Sequence, residues 1–209
     1  DLFEAIRTRR FTRAETAKAP PREEEQNGQV STDPRLRAPA LAPRHNLPSQ
    51  STPFVGREQE VAALCARLQD AACRLLTLVG PGGSGKTRLA LHAAQQLAEQ
   101  EGNSFPDGVY FVPLAPIQRP EEIAPAIVTA LGLTIAGDKL PVEELLRYLG
   151  HKRLLLLLDN YEHLLPDTAP VEQLLEAGPG VKVLVTAREA LNLAEEWFHA
   201  ITGLSFPAA

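Results

Sequence analysis

The sequence predicts an α/β domain in which a parallel sheet of about five strands is covered by helices on both faces. Short apolar or β-branched runs alternate along the chain with segments of helical periodicity. The purest run, Leu154 to Leu158, consists of leucine alone, as expected for a strand buried on both faces of a sheet. The length of 209 residues accommodates one sizeable domain and some additional chain.

The expected strands and helices follow one another in alternation. Strands are expected where short apolar runs occur, at 75–79, 109–113, 153–158 and 181–186. Helices are expected where apolar residues recur at helical spacing, at 57–72, 86–100, 121–131, 141–149 and 171–176.

The N-terminal part of the chain differs from the rest in composition. Residues 1–11 are expected to form the end of an upstream helical domain, because their apolar residues share one side and their arginines gather near the C-terminal end. From 12 to 53, prolines interrupt polar and charged residues, which predicts a disordered linker. The folded domain is therefore expected at 54–209.

Composition and charge exclude several classes of protein. A net charge of -5 argues against broad binding to nucleic-acid phosphates, so any DNA contact is expected through domains outside this chain. No apolar run approaches the roughly 20 residues that span a bilayer. With no signal peptide and no disulfide or metal spacing between Cys65 and Cys73, we expect a cytoplasmic protein with no membrane partner. Because the chain begins without Met, we also expect it to be a segment of a longer protein.

One motif carries the strongest chemical signal. The stretch GPGGSGKT, from Gly80 to Thr87, satisfies the pattern G-x-x-x-x-G-K-[ST] and lies between an expected strand and an expected helix. Its glycines let backbone N–H groups surround a phosphate, and the helix N-terminus adds partial positive charge. The loop is therefore expected to hold ATP or ADP. Lys86 would reach the β-phosphate and, in ATP, the γ-phosphate, and the Thr87 hydroxyl would ligate Mg²⁺. The alternative is a glycine-rich turn that only caps a helix.

The residues of this region expected to contact the nucleotide are Gly80, Gly82, Gly83, Ser84, Gly85, Lys86, Thr87 and Arg88.

Two carboxylates follow the leucine run. Asp159 stands at the C-terminal edge of a buried parallel strand, where a carboxylate faces the ligand crevice, so we expect it to hold Mg²⁺ through water. An N-cap is the alternative role. Many hydrolases place a glutamate directly after this aspartate, but Asn160 stands here, so efficient turnover is not expected. Glu162 is the nearest carboxylate and is either the catalytic base or a loop surface residue, and His163 is expected to be a loop residue.

Arg188 is the third candidate. It follows the expected strand VKVLVT and one alanine, which places a guanidinium near the position of a γ-phosphate. In that position it would sense whether the phosphate is present. A plain surface arginine is the alternative.

With these residues assembled, the segment from about Asn46 to Pro207 resembles the signal-transduction ATPases with numerous domains (STAND), in particular their AP-ATPase or NB-ARC-like branch. The matching stretches are FVGREQE, LLTLVGPGGSGKTRLA, FPDGVYFVPLAP, KRLLLLLDNYEHLL and VKVLVTAREAL. The resemblance implies an ASCE-type sheet, in which the strand before Arg188 lies between the strands that carry the phosphate loop and Asp159.

The same resemblance implies the nucleoside contacts. Val55, Gly56 and Arg57 would sit against the adenine and ribose. From the residues alone, FVGRE is typical of a helix N-terminus, which is the alternative interpretation.

The resemblance also implies a function. ADP would hold a closed resting state, and exchange for ATP would open it and permit self-association through downstream elements. The chain would then be a regulatory switch with slow Mg²⁺-dependent ATP hydrolysis, within a larger signalling or transcriptional regulator. The opening stretch DLFEAIRTRR is similar to the last helix of the activator domain in SARP-type regulators. The alternative from a different class is a non-hydrolysing scaffold, or oligomerisation module, that keeps ADP permanently bound.

Overall fold

The computed structural model describes residues 36–37, 45–100, 104–135 and 142–202. The expected helix end at 1–11, and most of the expected linker at 12–53, lie outside these residues. The strands are β1 Leu36–Arg37, β2 Leu75–Val79, β3 Gly108–Pro113, β4 Thr134–Ile135, β5 Leu154–Asp159, β6 Lys182–Ala187 and β7 Glu196–Ala200. The α-helices are α1 Glu58–Gln69, α2 Lys86–Glu99, α3 Ile123–Ala130, α4 Val142–Leu149 and α5 Ala169–Ala177, and 3-10 turns lie at Pro120–Glu122 and Tyr161–His163.

The main sheet has five strands in the order β3-β5-β6-β2-β7, and all neighbouring pairs are parallel. β6 therefore lies between β2 and β5, as the ASCE-type arrangement requires, and this part of the prediction is confirmed. Because all strands run the same way, their carboxyl ends form a single edge, where ligands bind in open α/β sheets. β1 and β4 form a separate antiparallel pair.

The leucine run of β5 shows how both faces of the sheet are buried. Leu154, Leu156 and Leu158 belong to a core shared with α3, α4 and α5. Leu155 and Leu157 belong to a second core shared with α1 and α2. None of the five leucines is more than 1% exposed, and burying each contributes about 1.5–3 kcal/mol. The prediction of helices on both faces is confirmed.

The expected helix at 121–131 is divided in the structure. A 3-10 turn covers Pro120–Glu122, and α3 begins only at Ile123. With this start, Pro125 falls in the first turn of the α-helix. The N–H groups of a first turn have no acceptor within the helix, so the missing N–H of proline costs no hydrogen bond there. The α-helix is therefore shorter at its N-terminal end than the sequence pattern predicts, because the 3-10 turn takes its first residues.

The strand β7 was not among the strands located from the sequence. It pairs in parallel with β2, from Leu75 opposite Glu196 to Val79 opposite Ala200. The Glu196 carboxylate accepts hydrogen bonds from the N–H groups of Leu191 and Asn192, at 2.9 and 2.7 Å. β7 is an edge strand of mixed polar and aromatic composition, so its sequence lacks the apolar run that marks the buried strands.

The outer edge of β3 is covered by residues just before the domain. His45 forms an isolated parallel bridge with Val109. The Asn46 side chain donates to the carbonyl of Phe111 at 2.9 Å and accepts from its N–H at 2.6 Å. Asn46 thus occupies backbone groups that an edge strand would otherwise present to another chain. Within the described ranges, no helix is both long and apolar enough to cross a membrane.

Gly80 lies where the end of β2 meets the residue after β7. The Ile201 N–H donates to the Val79 carbonyl at 2.7 Å, which brings the Ile201 carbonyl close to Gly80. A Cβ atom at position 80 would lie 2.7 Å from the Ile201 oxygen, whereas one at Gly82 would lie 3.8 Å from its nearest neighbour. The backbone approach therefore requires glycine at position 80 but not at position 82.

We expect Gly80→Ala to lower the free energy of unfolding by about 1–3 kcal/mol, because a backbone oxygen must move to admit the methyl group. Gly82→Ala is the matched control and should change it by less than about 0.5 kcal/mol. Urea denaturation followed by circular dichroism measures both. Equal stability of the two variants would contradict the close approach at Gly80.

Candidate functional site

The loop between β2 and α2 carries an exposed backbone and a helix N-terminus. Gly85 is the N-cap of α2, with a φ of 89° in the left-handed region that favours glycine. No side chain caps α2, and its first turn contains no acidic residue. The first N–H groups of the helix and their partial positive charge are therefore available to an anion.

Lys86 is the buried cation of this loop. The residue is 8% exposed, and its Nζ donates to the carbonyl oxygens of Gly80 at 2.8 Å and Pro81 at 3.0 Å. A buried ammonium is costly unless hydrogen bonds or an opposite charge compensate it. The loop supplies dipoles but not a full negative charge, so a phosphate fits this position.

Thr87 and Asp159 meet across the edge of the sheet. The Thr87 hydroxyl donates to Asp159 Oδ1 at 2.7 Å. Thr87 lies in α2, which follows β2, and Asp159 is the last residue of β5. The two residues meet even though β6 lies between β2 and β5 in the sheet. Hydroxyl and carboxylate oxygens are the ligands that Mg²⁺ prefers, and it is commonly held by one or two protein groups together with nucleotide phosphates. The chemistry of these two oxygen groups therefore fits Mg²⁺.

Thr186, on β6, was not identified from the sequence. Its hydroxyl donates to Asp159 Oδ1 at 2.7 Å and accepts from the Asn160 N–H at 2.9 Å. Asn160 itself has a φ of 69°, a conformation that asparagine tolerates better than most residues. A threonine in a β-branched strand carries no chemical signal of its own, so only the sheet order could reveal this contact.

Arg188 and Glu162 form an ion pair beside the phosphate loop. Arg188 Nε donates to Glu162 Oε1 at 3.1 Å, and the arginine side chain is 68% exposed against 17% for the glutamate. Arg188 Nη2 also approaches Gly82, since a Cβ built there would lie 3.8 Å away. The structure thus brings the loop, the expected sensor and the expected base together. Glu162 Oε2 is buried and accepts no hydrogen bond from the residues that the structure describes.

The turn that carries Glu162 is fixed on both sides. Tyr161 is fully buried, and its hydroxyl donates to the Asp167 carbonyl at 2.9 Å. Burial raises the pKa of Tyr161 above its usual range, so the phenol remains a donor. His163 Nε2 lies 2.8 Å from the Ile117 carbonyl, as expected for a packed loop residue.

The stretch Val55–Gly56–Arg57 lies beside the phosphate loop. The side chain of Val55 is among the exposed large hydrophobics, at 83%, and the Gly56 N–H donates to Glu58 Oε1 at 3.0 Å. The Arg57 guanidinium donates to the carbonyls of Ser84 at 2.9 Å and Thr202 at 3.0 Å, so it joins the loop to the chain after β7.

Arg88 is turned toward the segment that precedes α1. Its Nη2 donates to the carbonyls of Thr52 at 3.0 Å and Pro53 at 2.5 Å. Its guanidinium lies 5.8 Å from the ring of Phe54, which stacks on His92 with a centroid distance of 4.3 Å. Arg88 is one of the expected nucleotide contacts, but its described hydrogen bonds go to the segment before α1 and not to the phosphate loop.

The sheet order and the loop after β2 define a P-loop ATPase fold. Residues 53–194 match the AAA ATPase domain family. The chain belongs to this family.

The relatives include bacterial regulators. A putative HTH-type transcriptional regulator of Mycobacterium tuberculosis is 40% identical over 133 residues, covering 63% of this chain and 14% of the regulator. The regulatory protein AfsR of Streptomyces griseus is 35% identical over 153 residues, covering 68% of this chain and 15% of AfsR. The chain thus spans only a small part of these relatives.

Solved structures show the same fold. The Aeropyrum pernix ORC1 protein, determined in complex with DNA, has a TM-score of 0.54 and 22% identity, covering 73% of this chain and 47% of ORC1. The ORC2 protein of the same organism, determined as ADPNP-ADP complexes, has a TM-score of 0.52 and 19% identity, covering 70% of this chain and 48% of ORC2. At these identities the similarity establishes the fold alone.

We expect Arg57→Ala to lower the free energy of unfolding by about 1–3 kcal/mol, because the carbonyls of Ser84 and Thr202 lose a charged donor. Glu60→Gln is the control, since it removes only the ion pair with Arg57 Nε at 3.3 Å. That partly exposed pair should contribute less than about 1 kcal/mol. Thermal unfolding of both variants measures the difference, and an Arg57→Ala protein as stable as Glu60→Gln would contradict the bridging role.

Proposed function

We propose that this chain is an ATP- and ADP-binding switch domain with slow Mg²⁺-dependent ATP hydrolysis. The observation that carries the proposal is the 2.7 Å contact between Thr87 Oγ1 and Asp159 Oδ1 beside a loop with a buried Lys86. In this assignment Lys86 and the amides of Gly82, Gly83, Ser84 and Gly85 hold the phosphates. Bound Mg²⁺ would neutralise charge on the β- and γ-phosphates, and Thr87 and Asp159 would hold it.

The residues after Asp159 favour a slow rate of hydrolysis. Asn160, an amide that cannot act as a base, stands directly after the aspartate. Glu162 takes the role of base in our assignment, but Arg188 already donates to one of its carboxylate oxygens. The guanidinium therefore occupies an oxygen that a base would need for accepting a proton from water, which supports slow turnover.

Arg188 is assigned as the sensor of the γ-phosphate. Its guanidinium lies beside Gly82 and is two-thirds exposed, so it can reach an anion bound in the loop. A guanidinium is suited to planar recognition of phosphate oxygens. Discrimination between ATP and ADP needs only a contact that one nucleotide makes and the other does not.

The adenine and ribose are assigned to Val55, Gly56 and Arg57. Support comes from the contact of Arg57 with Ser84, which brings this stretch next to the phosphate loop. The exposed Val55 side chain offers an apolar surface for a base. Arg88 would act on the nucleotide through the segment at 52–54 that it holds against α2.

We place the chain in the AP-ATPase or NB-ARC-like branch of the STAND ATPases, within a larger transcriptional regulator. The similarity to AfsR and to a putative HTH-type regulator supports this parent role, and the ADPNP-ADP complexes of ORC2 support nucleotide binding. DNA contacts and self-association would then belong to parts of the parent outside this chain. The cytoplasmic location and the lack of a membrane partner stay predictions.

We expect Lys86→Ala to abolish detectable ADP and ATP binding in isothermal titration calorimetry. Loss of a desolvated, charge-assisted contact of about 3 kcal/mol corresponds to a weakening of roughly 100-fold. Lys152→Ala is a matched control, because Lys152 precedes β5 at the opposite edge of the sheet and pairs with Asp107. Unchanged affinity in Lys86→Ala would contradict the assignment of the loop.

We expect the purified chain to release phosphate from ATP over hours, below about 1 s⁻¹ and thus slower than typical enzymes. Asp159→Ala should remove this activity, since Mg²⁺ would lose its carboxylate contact. A phosphate-release assay with the variant as background measures the difference. Tightly retained ADP without any release would favour the non-hydrolysing scaffold instead.

A further inference from the structure

The hydroxyl of Thr186 lies at the centre of a small buried network. Thr186 is the penultimate residue of β6 and is 1% exposed. It donates to Asp159 Oδ1 at 2.7 Å and accepts from the Asn160 N–H at 2.9 Å. β6 lies between β2, which leads into the phosphate loop, and β5, which ends at Asp159. Through the Thr186 hydroxyl, β6 contacts the carboxylate of its neighbouring strand.

The protons of this network determine which oxygen atoms are left for a cation. A hydroxyl has one proton and two lone pairs. Thr87 and Thr186 both give their protons to the same atom, Asp159 Oδ1. The lone pairs of Thr87 Oγ1 therefore remain available to a metal ion. Asp159 Oδ2, which accepts no hydrogen bond from the described residues, remains available to a metal-bound water.

Of the two described hydroxyls that donate to the Asp159 carboxylate, only that of Thr87 would remain without Thr186. The carboxylate could then rotate about its side-chain bonds, and the Asn160 N–H would lose its acceptor. Asn160 begins the turn that carries Glu162, so the same change would loosen the position of that carboxylate. Groups that orient metal-binding residues commonly change metal affinity by about 10- to 100-fold when removed.

We propose that Thr186 is a positioning residue for Mg²⁺, which fixes the orientation of Asp159 and anchors the turn that follows it. The inference rests on the proposed nucleotide function, because Mg²⁺ reaches this site together with the phosphates. Thr186 itself touches neither nucleotide nor metal and acts through Asp159.

The chain offers a matched control on the neighbouring strand. Thr77 of β2 is fully buried, and its hydroxyl has no hydrogen-bond partner within the described part of the chain. Thr77→Val and Thr186→Val replace the same group by the same methyl group in the same sheet. Only the second removes a contact with Asp159.

The experiment measures ADP binding by calorimetry across a series of Mg²⁺ concentrations and in EDTA. For Thr186→Val we expect the Mg²⁺ concentration at half-maximal effect to rise about 10-fold or more, with unchanged ADP affinity in EDTA. Thr186→Ser and Thr77→Val should behave as the wild type. If Thr186→Val does not fold by circular dichroism, Thr186→Ser and Thr186→Ala provide the comparison, since they differ by the hydroxyl alone.

An unchanged Mg²⁺ dependence in a folded variant that lacks the hydroxyl would overturn the inference. An equal loss of ADP affinity in EDTA and in Mg²⁺ would overturn it too, because that pattern indicates damage to the loop and not to the metal site. Failure of the wild type to bind ADP under either condition is a different result, which would reject the proposed function itself.

Discussion

Lys86 places a positive charge inside a loop that provides no carboxylate for it. The residue is 8% exposed, and its ammonium donates to two carbonyl oxygens of its own loop. The first N–H groups of α2 converge on the same loop, with no side-chain cap and no acidic residue in the first turn. A buried cation and a helix N-terminus together favour an anion at this position more than either does alone. The Thr87–Asp159 contact and the Arg188–Glu162 ion pair lie beside this position.

The strand order makes this loop part of a larger network. β6 lies between β2 and β5, so its last residues stand beside the phosphate loop on one side and Asp159 on the other. Thr186 bonds the aspartate, and Arg188 bonds Glu162 while lying near Gly82. β6 and the residue that directly follows it therefore contribute both a hydroxyl bonded to Asp159 and an exposed guanidinium beside the loop. Arg57 extends the network to the chain after β7, because its guanidinium donates to the carbonyls of both Ser84 and Thr202.

The site was predicted from the sequence where local chemistry was sufficient and missed where it was not. The loop GPGGSGKT and Asp159 could be found because each follows a run that only a buried strand explains. β7 was missed because an edge strand needs only one neighbour and tolerates Glu196 and His199. Arg88 stays a predicted nucleotide contact. Its side chain, one position further along α2 than Thr87, reaches the carbonyls of Thr52 and Pro53, and this contact could not be predicted from the sequence.

The sequence by itself determined the α/β class, the phosphate loop and the carboxylate that follows the leucine strand, because these depend on residues within a few positions of one another. Only the tertiary structure decided which side chains meet across strands. Thr186 and Asp159 are 27 positions apart, and Arg57 and Thr202 are 145 positions apart. Contacts at such separations depend on strand order and register. A hydrophobic pattern shows only which face of the sheet a side chain is on and at which end of its strand it lies.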